Sequence, residues 1–136
     1  MEQACRDEVV ELHQFFEDWF TGRLADTDQA FERCEQALAK SFVLISPRGV
    51  TDTCAQLLPS IRAAHGRRPE MRIWIEDLAC RQLSDTMMLV TYREWQDDAG
   101  QVTGRLSSAI MERRESAPRG VVWLHLHETW ARQPAS

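Results

Sequence analysis

The chain has 136 residues, of which 43% are hydrophobic and 27% charged, and its net charge is −5. That length suits one domain with one sizeable core, and that composition excludes a disordered chain. Lys40 is the only lysine, the other cations are arginines, and no basic run exists. An acidic chain of this kind is a poor match for a phosphate backbone, so no nucleic-acid partner is expected.

Cys5, Cys34, Cys54 and Cys80 stand far apart with no C-x-x-C pair, so no zinc knuckle is readable. The start, Met1 to Glu8, is acidic and lacks the basic-then-apolar order of a signal peptide. No apolar stretch approaches the roughly 20 residues that span a bilayer. The expectation is a cytoplasmic protein with no membrane partner, whose four reduced thiols serve mostly as small core residues.

Along the chain, Val9, Leu12, Phe16, Trp19 and Phe20 recur at helical spacing, and Gly22 follows as a stop. Asp26 followed by Gln29 predicts a capping box opening a second helix, with Phe31, Cys34 and Leu38 on its apolar side. Phe42 to Ile45 reads as a short buried strand, and Ser46-Pro47-Arg48-Gly49 as a turn. Thr51 or Asp52 is expected to cap a third helix running to about His65, kinked or divided at Pro59. The period then changes. Met71–Leu83, Met87–Asp97, Arg105–Glu115 and Val121–Arg132 read as long strands, with turns at Asp98-Ala99-Gly100 and Ala117-Pro118-Arg119-Gly120. Helices followed by a four-strand meander define an α+β domain over 1–136, with helices on one face of a sheet that must twist strongly.

This order of elements resembles the nuclear transport factor 2-like (NTF2-like) superfamily, and its local words resemble the SnoaL-like branch. Those words are Leu12-His13-Gln14-Phe15-Phe16-Glu17-Asp18-Trp19-Phe20, Ser46-Pro47-Arg48-Gly49, Tyr92-Arg93-Glu94-Trp95-Gln96 and Trp123-Leu124-His125-Leu126-His127-Glu128-Thr129-Trp130. The resemblance implies a cystatin-like cone, with three N-terminal helices packed on a strongly curved antiparallel sheet and a pocket between them. It also implies a homodimer through the outer sheet face. Large residues on both faces of the later strands agree with that, since a solvated face has no need of them.

Alternation on the last strand puts Val122, Leu124, Leu126, Glu128 and Trp130 on one face, taken as the pocket face because it is the more apolar. Val121, Trp123, His125, His127 and Thr129 then face outward. In the calmodulin-dependent kinase association domain, which belongs to the same superfamily, the residue after the matching His-x-His is an arginine. Here it is Glu128, so no anionic ligand carries over by resemblance. Met88, Val90, Tyr92, Glu94 and Gln96 share a face of an earlier strand, and the resemblance puts Tyr92 and its neighbours in the cavity. A carboxylate desolvated there becomes a candidate general acid or base, which makes Glu94 and Glu128 the candidate catalytic residues. The plainer role for Glu94 is a cross-strand ion pair with Arg105. Arg105 and Ser107 are candidates for polar ligand atoms or for a closed polar network. Tyr92, Arg105, Trp130, Trp19 and Phe16 are the expected ligand-binding residues, and His13 is a rim or wall residue on the helical stripe.

His125 and His127 share a face, but that face of their strand offers no carboxylate as third ligand, so no metal is expected, and no cofactor. Ketosteroid isomerase has an aspartate before its Pro-x-Gly turn and a tyrosine late in its first helix. This chain has Ser46 and, at the nearest match, Phe15, which argues against that reaction. The expected function is a dimeric domain binding a small, mainly apolar molecule. The alternatives are an isomerase, dehydratase or cyclase using a pocket carboxylate, and a protein-interaction module with a filled pocket.

Overall fold

A computed structural model describes residues 1–132; residues 133–136 of the domain expected over 1–136 lie outside the described residues. The elements run α1 (Glu2–Phe20), α2 (Asp28–Ala37), β1 (Leu38–Ile45), β2 (Thr51–Thr53), α3 (Cys54–Ala63), β3 (Met71–Gln82), β4 (Met87–Asp98), β5 (Gln101–Arg113) and β6 (Val121–Trp130).

The stripe on α1 buries Cys5, Val9, Leu12, Phe15 and Trp19 against the sheet and α2. Gly22 then takes φ +80, and a Cβ there would lie 3.3 Å from the Gly66 Cα. The chain closes at that point because the Gly66 N–H donates to the Trp19 carbonyl at 3.0 Å. Thr27 caps α2, its hydroxyl accepting from the Ala30 N–H at 3.1 Å. Asp26, expected as that cap, pairs with Arg62 of α3 instead. The third helix starts one or two residues later than expected, because Thr51 and Asp52 pair with Ile45 and Leu44 as the short strand β2. Thr53 is its cap in a reciprocal box with Gln56. Pro59 stands inside α3 without dividing it, and the helix ends at Ala63.

The six strands form one sheet in the order β2-β1-β6-β5-β4-β3. The β3-to-β6 meander is antiparallel as expected, with β5 beginning four residues earlier, at Gln101. The sheet as a whole is mixed, because β1 runs parallel to β6. Parallel neighbours need a long crossover, and here everything from β2 to β5 supplies it. Register breaks interrupt the β1–β6, β3–β4 and β5–β6 pairings. Extra residues of this kind bend a strand and raise its twist, which curls the sheet around the helices.

The break on β6 corrects the expected facing. Ile110 pairs with His125 and Met111 with Trp123, so Leu124 is an extra residue. Before it, Val121 and Trp123 enter the main core, while Val122 and Leu124 join a small outer cluster with Ala39 and Ala117. After it, Leu126 and Glu128 face the helices, as alternation predicts for that end. On the outer face Trp95 lies over Gly104, its register partner; a Cβ at 104 would meet the indole at 2.4 Å, so only glycine fits.

Candidate functional site

Two adjacent rows of the β4–β5–β6 ladder build the site. One row is Glu94, Arg105 and Trp130; the next is Tyr92, Ser107 and Glu128. Alternation sends both rows toward α1, whose stripe brings His13 down onto them. The His13 Nδ1 lies 2.7 Å from the Val9 carbonyl and its Nε2 lies 2.9 Å from Glu94 Oε1. A carbonyl and a carboxylate both accept, so the ring satisfies both as a doubly protonated imidazolium.

Electrostatics agree with that assignment. Burial alone would lower the His13 pKa, but Glu94 and the Val9 carbonyl outweigh it and the net shift is upward. Burial alone would raise Glu94, yet His13, Arg105 and the Gln96 amide hold its carboxyl well below the usual range. Gln96 donates to Glu94 Oε2 at 2.6 Å. Glu128 goes the other way. Burial, then repulsion from Glu94, push it up to about 7 against the pull of Arg105 and His13. Arg105 donates to Glu128 at 3.3 Å, and its guanidinium sits 5.4 Å from the Trp130 ring centre.

These groups face a cavity of about 180 Å³. His13, Glu94, Gln96, Arg105 and Glu128 supply its polar wall, and Phe16, Phe20, Phe42, Leu57, Ile61 and Leu126 most of the apolar one. A second cavity of about 470 Å³ shares Phe20, Ile61, Gln96 and Arg105 with the first and adds Trp130, which is 46% exposed. Among the expected site residues, Glu94, Glu128, Arg105 and Phe16 therefore meet at the inner cavity, and Arg105 and Trp130 at the outer one. Tyr92 sits behind the inner wall, edge-on to His13 at 5.3 Å, without lining it. Burial and then the nearby carboxylates raise its phenol pKa well above 10. Trp19 is elsewhere: it is fully buried, stacked on Phe15, and donates to the Ile61 carbonyl at 2.8 Å.

The ion partner of Glu94 is His13, not Arg105. The register pairs Glu94 with Arg105, but the arginine turns to Glu128. His65 donates from Nε2 to the Leu24 carbonyl at 2.6 Å. His125 and His127 lie outside the lining of both cavities. Among the described residues, no group of three or more His, Cys, Asp or Glu side chains is disposed to hold a metal. No described helix is long and apolar enough to cross a membrane.

A curled mixed sheet wrapped on three helices, with ionisable groups at an internal cavity, is the architecture of NTF2-like proteins. An NTF2-like protein of unknown function from Pseudomonas aeruginosa superposes with a TM-score of 0.85 at 28% identity, covering 95% of this chain and 99% of that one. The CaMKII hub of S. rosetta gives a TM-score of 0.73 at 13% identity, with 95% of each chain covered. Residues 5–132 match the family described as Sucrose-6-phosphate phosphohydrolase C-terminal, and the chain belongs to that family. Sucrose-phosphatase 1 of Nicotiana tabacum is 23% identical over 95% of this chain, and probable sucrose-phosphatase 3a of Arabidopsis thaliana is 20% identical over 95%. This chain spans 31% of the length of each of those two proteins.

Proposed function

We propose that this chain is a dimeric small-molecule-binding domain whose ligand is mainly apolar with one or two polar groups. The observation that carries the reading is an apolar-walled cavity of about 180 Å³ with a few polar side chains, Gln96 and Arg105 among them, in its wall. Of the residues that line it, Arg105 has an Nε buried with no hydrogen-bond partner among the described residues. Leaving such a group unpaired costs about 1–3 kcal/mol, and a bound polar atom offsets that cost. Pockets with apolar walls and few placed polar groups are the usual form of small-molecule sites. A module with a filled cavity would have no such space.

The phosphatase name belongs to proteins about three times as long. Two carboxylates face the inner cavity here, which favours uncharged groups over a phosphate at that depth. Acid–base catalysis is a second reading, favoured by the opposite shifts of Glu94 and Glu128. A pair of carboxyls driven apart is the arrangement that assigns one as proton carrier and the other as fixed charge. Glu128, near neutrality, is then the carrier, and Glu94, ionised by His13, is the fixed charge.

Ligand-observed NMR with a library of small aromatic and aliphatic fragments tests the binding reading. Leu126→Trp, which fills the cavity, should weaken binding of the hits at least about tenfold, a change of about 1.4 kcal/mol, while the melting transition persists. Hits untouched by that variant, or no hits at all, would sink the reading. The dimer is tested separately. The row Leu89, Ile110 and His125 and the neighbouring Leu106, 41% exposed, form the apolar part of the outer face. Light scattering at micromolar concentration should give twice the chain mass of 15.7 kDa, and a monomer mass would remove the dimer.

A further inference from the structure

From the pairing of the two cavities we infer that the ligand is an organic anion bound in a fixed orientation, its apolar end in the inner cavity and its charged head in the outer one. This rests on the small-molecule reading above and adds the ligand's charge and direction. The two cavities are neighbours, with Phe20, Ile61, Gln96 and Arg105 lining both, and the inferred ligand would pass between those side chains. Their linings differ in sign. In the inner cavity Glu94 is matched by His13 and Glu128 by Arg105, leaving no uncompensated cation for a head group. An apolar cavity of about 150 Å³ takes a benzene ring, so 180 Å³ suits one small ring or a short branched chain.

The outer cavity draws arginines from three separate segments. Arg48 comes from the β1–β2 turn, Arg68 from the α3–β3 connection and Arg105 from β5. Asp98 is the one acid lining it among the described residues, and it is bonded to Arg68 at 3.2 Å. Arg48 is exposed and has no ion-pair or hydrogen-bond partner among the described residues. Arg105 lines both cavities, its charge already matched in part by Glu128 and its unpartnered Nε buried, so among the described residues Arg48 is the free cation of the three. Cations collected at one concavity of a chain with net charge −5 mark an anion site against the prevailing field. The exposed face of Trp130 and the amide and hydroxyl of Gln101 and Thr103 complete the surround. A carboxylate there accepts from guanidinium donors, the geometry in which arginine binds best.

The test is a calorimetric titration of the whole chain, with NMR shifts recorded in parallel, using 4-phenylbutyrate and its neutral partner 4-phenylbutanamide at low salt. The acid should bind about tenfold more tightly than the amide, and the Leu126 and Phe16 resonances should move with both. Arg48→Ala, on a surface turn outside the core, should weaken the acid about three- to fivefold and leave the amide unchanged. Raised salt should erode the same margin. If acid and amide bind alike, or Arg48→Ala and Arg68→Gln both leave the acid unchanged, the anion assignment is overturned while cavity binding stands. If neither compound moves the cavity resonances at millimolar concentration, both readings fall together.

Discussion

Replacing Glu8 by alanine should lower the unfolding free energy by about 3–5 kcal/mol, the range for breaking a buried ion pair from one side. Glu8 is completely buried on α1 and no local pattern requires a charge there. Its carboxylate receives both terminal nitrogens of Arg33 from α2, at 2.8 and 3.3 Å, and the Trp123 indole N–H from β6, at 3.1 Å. Burial raises its pKa, and Arg33 and Trp123 only partly oppose that, so the site holds its charge at a cost. Removing the carboxylate leaves the Trp123 N–H in a residue 1% exposed, with no other partner among the described residues. Arg33 is 23% exposed at its side chain and recovers some solvation, which favours the lower half of the range. Glu8→Gln keeps an acceptor for the indole and should cost less. Urea unfolding followed by tryptophan fluorescence measures both. A loss under about 1 kcal/mol for the alanine variant would mean that the three-element junction is not holding Trp123, and with it the cavity wall, in place.

That junction also marks where a reading of the sequence stops. Alternation along β4 and β5 put Tyr92, Glu94, Arg105 and Ser107 on one face, because a strand repeats every two residues and the Asp98-Ala99-Gly100 turn fixes the register. The helical stripe gave α1 and its end at Gly22 for a comparable reason. What escapes is whatever depends on contacts between distant segments. Glu94 finds His13 across 81 positions, and Glu8 finds Trp123 across 115. His13 carried a signal, being a polar residue on an apolar stripe, and so did Glu94 on its strand face, but nothing local paired the two. The extra residue at Leu124 has no local mark either, and it reverses the facing of the first half of β6. Trp19 was a reasonable wall residue by spacing. Its indole is instead taken up by Phe15 and Phe31 and by Arg62, whose guanidinium lies 5.1 Å from its ring. The parallel β1–β6 pair follows from where the long meander returns, a fact of topology and not of any one segment.

The stability of the fold should depend on pH through Glu128. Its carboxyl sits at about 7 in the fold against an ordinary 4.5, with burial and then Glu94 as the causes. Between those two values the folded chain binds more protons than the unfolded one, so stability falls as pH rises through that window. Above about pH 8 the accumulated cost is on the order of 2–3 kcal/mol, less than the full shift because Arg105 and His13 are coupled to it. Glu128→Gln removes this ionisation while keeping an acceptor for Arg105. At pH 5 the variant should match the wild type within about 1 kcal/mol; at pH 8 it should be the more stable by about 2 kcal/mol. The neighbouring groups do not mimic the effect. Glu94, whose pKa is depressed, contributes stability that is lost only as pH falls below its ordinary value. His13, whose pKa is raised, also loses its contribution as pH rises, but Glu94 and the Val9 carbonyl outrank Glu128 among the causes, so most of that loss is common to wild type and variant. Urea unfolding of the two proteins at pH 5, 6.5 and 8 isolates the Glu128 term as the difference between them. Parallel curves would show that Glu128 ionises as easily in the fold as outside it, and its candidacy as proton carrier would go with the shift. A gap that opens between pH 5 and 8 would mean that the carboxyl still holds a proton near neutrality, at a cavity wall where a ligand can take it.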